Sequence, residues 1–264
     1  MTSWAQDWIQ PIEDAHWPRV QCPACSKGFL GEVADDREEL HDSRSAQTVR
    51  LYKAGVDSVH HLSGAFERRF VCEWGGCEQA YVVGGDWELS IDDVDLDHGP
   101  HYVNLYQLRF IHPTIPLFCP PPGTPESVRG ALLEASAIMW MSPSGAANRL
   151  RQGVEELLTS QGVRPGWNLH KRIRQLEETA PRAAAVLLAT KIIGNAGSHG
   201  LDVTMADVVD AADFIELALR LFYDTADDVV LRRAKKIIDT KPFRSEPQQN
   251  DSLTAANRSS SADS

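Results

Sequence analysis

The 264-residue sequence predicts an α+β protein: a β-rich N-terminal module (residues 1–122), a helical bundle (123–240) and a disordered tail (241–264). Three observations carry this. Residues 20–118 break into short apolar runs separated by turn residues, with four cysteines in two close pairs. Pro120-Pro121-Pro122-Gly123 then forms a stiff hinge and a natural boundary. Beyond it, helix start signals recur at short intervals, joined by short connections.

In chain order, Phe66–Cys72 and Gln79–Val83 flank the glycine turn Glu73–Gly76 as the arms of a hairpin do. Tyr102–Ile111 is a further strand, ended by His112-Pro113. Residues 35–62 are ambiguous, with a helix candidate at Ala46–Ala54. In the second half, Thr124-Pro125 and Ser142-Pro143 each place a capping hydroxyl before a proline suited to the first helical turn. Asn168 caps Leu169–Glu178, and Pro181 opens an apolar helix. Thr204 with Asp207 forms a capping box ahead of a long helix to about Asp239. Val208, Ala211, Ile215, Leu219 and Phe222 follow the three-to-four spacing of a buried helix face. From Lys241 onward small and polar residues dominate, and nothing there builds a core.

Composition bounds the function. The net charge of −11 argues against bulk electrostatic capture of nucleic acid. Residues 1–122 carry 9 Lys+Arg against 19 Asp+Glu, whereas residues 123–240 carry 14 against 15. The nearly neutral second half has a local basic cluster at Lys171, Arg172 and Arg174, which suits a phosphate backbone. No stretch approaches the roughly 20 apolar residues of a membrane span, and a reducing cytoplasm is the expected compartment.

Cys22-Pro-Ala-Cys25 and Cys72-Glu-Trp-Gly-Gly-Cys77 have the spacing of two metal knuckles. Zinc takes four soft ligands in a tetrahedron, and a close pair on a tight turn supplies two of them. Four thiolates leave no open position for water, so the predicted zinc is structural and the module zinc-ribbon-like. The alternative is four unconnected buried thiols, or a site that includes His60 or His61. Cys119, alone in the hinge, reads as a packing residue, and Trp140 and Trp167 as packing anchors.

The most unusual segment is Lys191-Ile-Ile-Gly194-Asn195-Ala-Gly-Ser-His199-Gly200. Each interior glycine costs a helix roughly 1 kcal/mol relative to alanine, so three of them suggest close approach of a backbone or a ligand. On a continuous helix Asn195 and His199 share a face. Glu134 and Arg149, on the preceding helices, are candidate partners for that pair.

Taken with Leu133-Glu134-Ala135, Ala147-Asn148-Arg149, Val154-Glu155 and Leu169/Ile173/Leu176, this segment resembles the bacterial domain-of-unknown-function family numbered 4145. The resemblance spans residues 20–225. It implies kinship to HEPN domains, hence an all-α HEPN-like bundle that forms a homodimer, an RNA or protein partner, and a role in bacterial defence. Active HEPN nucleases carry Arg-Asn-x-x-x-His. Asn195 and His199 match that motif, but Gly194 stands where the arginine would be, and Lys191 is the nearest cation, about 12 Å of helix rise from His199. The resulting expectation is a non-catalytic partner-binding or nucleic-acid-sensing protein, with Arg149, Glu134, Lys171, Arg172 and Arg174 as binding residues. The alternative is a metal-independent endoribonuclease using His199, Asn195 and Lys191.

Overall fold

The computed structural model describes residues 4–14, 16–55, 62–95, 99–166, 168–198, 203–224 and 226–240. The element order is α1 (Ala5–Trp8), β1 (Ile12–Glu13), β2 (Leu30–His41), α2 (Ser43–Lys53), β3 (Ser63–Cys72), β4 (Ala80–Asp95) and β5 (Gly99–His112). The helices α3 (Glu126–Ile138), α4 (Pro143–Ser160), α5 (Leu169–Leu176), α6 (Pro181–Ser198), α7 (Met205–Tyr223) and α8 (Ala226–Thr240) follow. The tail from residue 241 and the candidate ligands His60 and His61 lie outside the described residues, as does Trp167.

The strands form one antiparallel sheet in the order β1-β5-β4-β3-β2. Residues β2 to β5 are a meander, and β1 covers two residues of the free side of β5. β2 is an edge strand, and the exposed charges of Arg37 and Glu38 in it discourage pairing with another chain. Its register against β3 shifts between Glu32 and Arg37. Alternation along β3 buries Phe66, Arg68, Phe70 and Cys72 on one face. That face meets Trp8, Trp17 and Tyr106 in a chain of ring contacts with centroids 5.0–5.9 Å apart, among them Phe66–Tyr106 and Trp8–Phe70.

The fold corrects the sequence expectation. The sheet is no small zinc ribbon: its main strands run 12, 10, 16 and 14 residues. The helices do not form an all-α HEPN-like bundle of their own either. Sheet and helices up to Asp224 make one compact unit with one continuous hydrophobic core. The Trp4 ring lies 6.1 Å from that of Trp140, tilted by 39°, and donates from Nε1 to the Pro116 carbonyl at 3.1 Å. The Leu117 amide donates to the buried Ser136 hydroxyl at 3.1 Å. The physical reason is that α3 and the segment after β5 share apolar surface, which a reading by local periodicity divides between separate modules. The expected long final helix also stops early. Asp224 has an extended ψ of 108°, so α7 closes at Tyr223, and α8 belongs to a second unit, Thr225–Ser264.

Helix starts follow local chemistry closely. Ser142 accepts from the Gly145 amide, Asn168 from Lys171, and Thr204 forms the complete capping box with Asp207. Thr124 does not cap α3. Its hydroxyl donates to the Pro121 carbonyl at 2.8 Å, and Pro125 occupies the cap position. Ser142 and Thr204 thus satisfy amides that the first helical turn leaves orphaned.

Candidate metal centre

The two cysteine pairs converge. Cys22 and Cys25 lie on the loop ahead of β2, while Cys72 ends β3 and Cys77 sits in the β3–β4 turn. All four sulfurs lie within 4.8 Å of one another. Cys22 Sγ is 3.9 Å from Cys77 Sγ, and Cys25 Sγ is 3.7 Å from Cys72 Sγ. Four thiolates at zinc–sulfur distances of about 2.3 Å around one tetrahedral ion sit roughly 3.8 Å apart. The donor set therefore fits a metal ion without rearrangement.

The backbone builds two matching knuckles. Ser26 N donates to Cys22 O at 2.8 Å, and Cys77 N donates to Trp74 O at 2.9 Å. The residue after the second cysteine of each pair, Ser26 and Glu78, has a φ of 54°, the left-handed turn that reverses the chain behind the sulfur. Cys22 N bonds Gly28 O, and Cys72 N bonds Gln79 O, so each knuckle opens from a short antiparallel pairing. Glycine is needed at position 28. A β-carbon there would lie 2.6 Å from Cys72 Sγ and 2.7 Å from Trp74 Cβ. Lys27 and Gly28 point their amides at Cys25 Sγ, 3.4 and 3.5 Å away. The Gly28 bond is the chief reason that the Cys25 thiol falls to a pKa of about 6, and burial pushes Cys72 up to about 12. Cys22 and Cys72 are buried, and Cys25 and Cys77 are partly so. Cys119 stands apart and is exposed, not the packing residue its apolar neighbours suggest.

A second constellation has no counterpart in the sequence reading. Arg68 is 1% exposed in the middle of β3. Its Nη1 donates to Glu32 at 2.6 Å, and its Nη2 donates to Asp14 at 2.8 Å and Glu39 at 3.4 Å. The guanidinium lies 4.3 Å from the Tyr106 ring centroid and 5.1 Å from that of Trp17. Arg37 supports the same carboxylates, at 2.8 Å to Glu32 and 3.6 Å to Asp14. Burial alone would lower the Arg68 pKa, but the Glu32 bond and the charges around it outweigh burial and raise it. Tyr106 donates its hydroxyl to Glu39. Burial and that bond push the Tyr106 pKa up to about 12. The only sequence signal was the run of acids in β2 opposite Arg68-Arg69, which also reads as a solvated face.

The other predicted site residues that are described lie on α3, α4, α5 and α6. Arg149 of α4 pairs with Glu134 of α3 and also donates to Gln152. Arg172 is buried, donating to Thr159 Oγ1 at 2.8 Å, whereas Lys171 is exposed and Arg174 pairs with Glu177 at 2.6 Å. Lys191 and Asn195 lie one turn apart in α6, Lys191 half-buried. The Asn195 side chain and the whole of His199 lie outside the described residues.

Site and fold together define an α+β protein with a cluster of four cysteines, able to hold a metal ion, at one end of its sheet. Residues 133–241, which span α4 to α8 and the last six residues of α3, match the family described as "Domain of unknown function (DUF4145)", which supports that likeness for the helical half. No curated protein and no solved structure matches the chain. Among the described residues, no helix is long and apolar enough to cross a membrane.

Proposed function

We propose that the chain is a non-catalytic partner-binding protein whose sheet is held by one structural zinc ion on Cys22, Cys25, Cys72 and Cys77. The closed set of four sulfurs carries this reading. Thiolates select zinc among abundant divalent ions, and four of them leave no site for an activated water. When bound, the ion would tie the loop before β2 to the end of β3. A protein partner is favoured over a phosphate backbone by the engagement of the cations. Arg149 and Arg174 are paired with acids and Arg172 is buried, so the helical half presents no free basic strip built from them. Self-association through the helices belongs to the same reading, with a dimer mass in light scattering as its mark.

Metal analysis of protein purified without added zinc should return one zinc per chain, and Cys72→Ser should abolish it. Cobalt exchange should give thiolate-to-metal absorption. Incubation with labelled single-stranded RNA and tRNA, with and without EDTA, should give no cleavage. Metal-independent cleavage that disappears in a folded His199→Ala variant would overturn the non-catalytic reading and establish a ribonuclease.

A further inference from the structure

The sheet face opposite the aromatic core carries a groove of about 660 Å³, within the usual range of ligand sites. Its floor is two rows of directly paired residues, which share a face. One row is Leu40, Ala65, Asp86 and Gln107; the next is Ser63, Glu88 and Leu105. Asp42, at the start of α2, closes one end.

We propose that this groove docks an extended segment of a partner protein through a lysine or arginine side chain. This names the partner chemistry for the partner-binding reading and rests on it. Three observations select that occupant. First, the charges are one-sided. Asp42, Asp86 and Glu88 line the groove against one arginine, Arg109, which is already paired with Asp86 at 2.7 Å. Glu88 has no ion pair or hydrogen bond to any described side chain, and Asp42 is engaged by the Ser45 and Arg44 amides and the Ser63 and Ser45 hydroxyls, all uncharged donors. Neither carboxylate is paired with a cation among the described residues, where Asp86 alone of the three acids has one. Secondly, Leu40, Ala65 and Leu105 separate the acids, and Leu40 is 66% exposed on an otherwise polar rim. Such a floor suits the methylene stem of lysine or arginine beneath its charged head.

Thirdly, the Gln107 amide nitrogen is shielded from solvent and has no hydrogen-bond partner among the described residues. A shielded amide donor without an acceptor costs about 1–3 kcal/mol. Among three carboxylates its acceptor has to be neutral. A ligand that joins a cation to neutral carbonyl oxygens is a polypeptide, which a free polyamine is not.

The test uses the full-length, zinc-loaded chain and fluorescence anisotropy of a labelled octapeptide of alternating leucine and lysine. Saturable binding should weaken about tenfold in Glu88→Lys and about fivefold in Gln107→Leu. Glu156→Lys, the same charge change on an exposed position of α4, should leave it unaltered. Melting curves of the three variants should coincide with that of the parent. Equal loss in Glu88→Lys and Glu156→Lys would reduce the effect to net charge and overturn the site. So would binding of a leucine–glutamate octapeptide with equal affinity, displacement of the label by spermidine as efficiently as by unlabelled peptide, or no binding at high micromolar concentration. Those failures leave the metal and RNA assays untouched, so the groove and the broader partner-binding reading fail separately.

Discussion

Replacing Arg68 with methionine tests whether the buried charge cluster organises the sheet. The substitution keeps most of the side-chain volume but removes the donors to Glu32, Asp14 and Glu39. Glu32 is then left 16% exposed with Arg37 as its one remaining cation, while Glu39 keeps the Tyr106 hydroxyl. Stripping one partner from a buried ion pair costs 3–5 kcal/mol, and because Arg37 persists we expect about 3 kcal/mol, the lower end. With a urea dependence of about 2–3 kcal/mol per molar, the unfolding midpoint should fall by roughly 1 M or more. The loss should also depend on pH in a defined sense. A carboxylate left without its cation has a folded-state pKa above its unfolded one, so it destabilises the fold above that pKa, and the penalty vanishes as pH falls through it. The gap between parent and variant should therefore narrow towards pH 4, where ordinary carboxylates take up protons. Adding Glu32→Gln to the variant should recover part of the loss. A loss below about 0.5 kcal/mol, or one that does not change with pH, would mean that the cluster behaves as an exposed ion pair and would refute the argument.

Ser136→Ala should cost about 1–3 kcal/mol in urea unfolding, because it orphans the buried Leu117 amide that joins the segment after β5 to α3. If the sheet and helices then melt separately in calorimetry, that bond is part of their coupling; an unchanged single transition at the parent temperature would count against it. Asp42 has a lowered pKa, first through the Ser45 amide and then through the Ser63 hydroxyl. Its stabilising effect is complete above the unfolded-state pKa and is lost as pH falls through the folded one. Asp42→Ala should accordingly lower the melting temperature at pH 7 and differ little from the parent at pH 2.

What the sequence disclosed depends on the range of the interaction. The caps Ser142, Asn168 and Thr204 act over three residues, and each is where its local signal places it. The cysteines are 47 and 55 residues from their nearest partners, yet the chemistry of a thiolate pair on a turn is specific enough to be read without knowing the fold. Arg68 carries no such mark. Beside Arg69, in a strand with alternating exposure, it reads as half of a solvated pair, and only the register against β2 shows which arginine points inward. The all-α bundle was misjudged for a related reason. Trp4, Pro116 and Trp140 bind the two halves through contacts more than 20 residues apart, to which helical periodicity is blind. The Asn195 and His199 pair, the most conspicuous feature of the sequence, retains its biochemical test.

The paired knuckles also bear on how this chain can change over generations. They clasp the two ends of a 46-residue span, Cys25 to Cys72, which contains β2, α2 and most of β3. With a metal ion held by the four cysteines as proposed, the entropy of closing the span would depend only weakly on its length, about 0.6 kcal/mol for each doubling. The connection between α2 and β3 is therefore free to gain or lose residues at little thermodynamic cost. The site at its base, set by Gly28 and two short turns, tolerates almost no such variation.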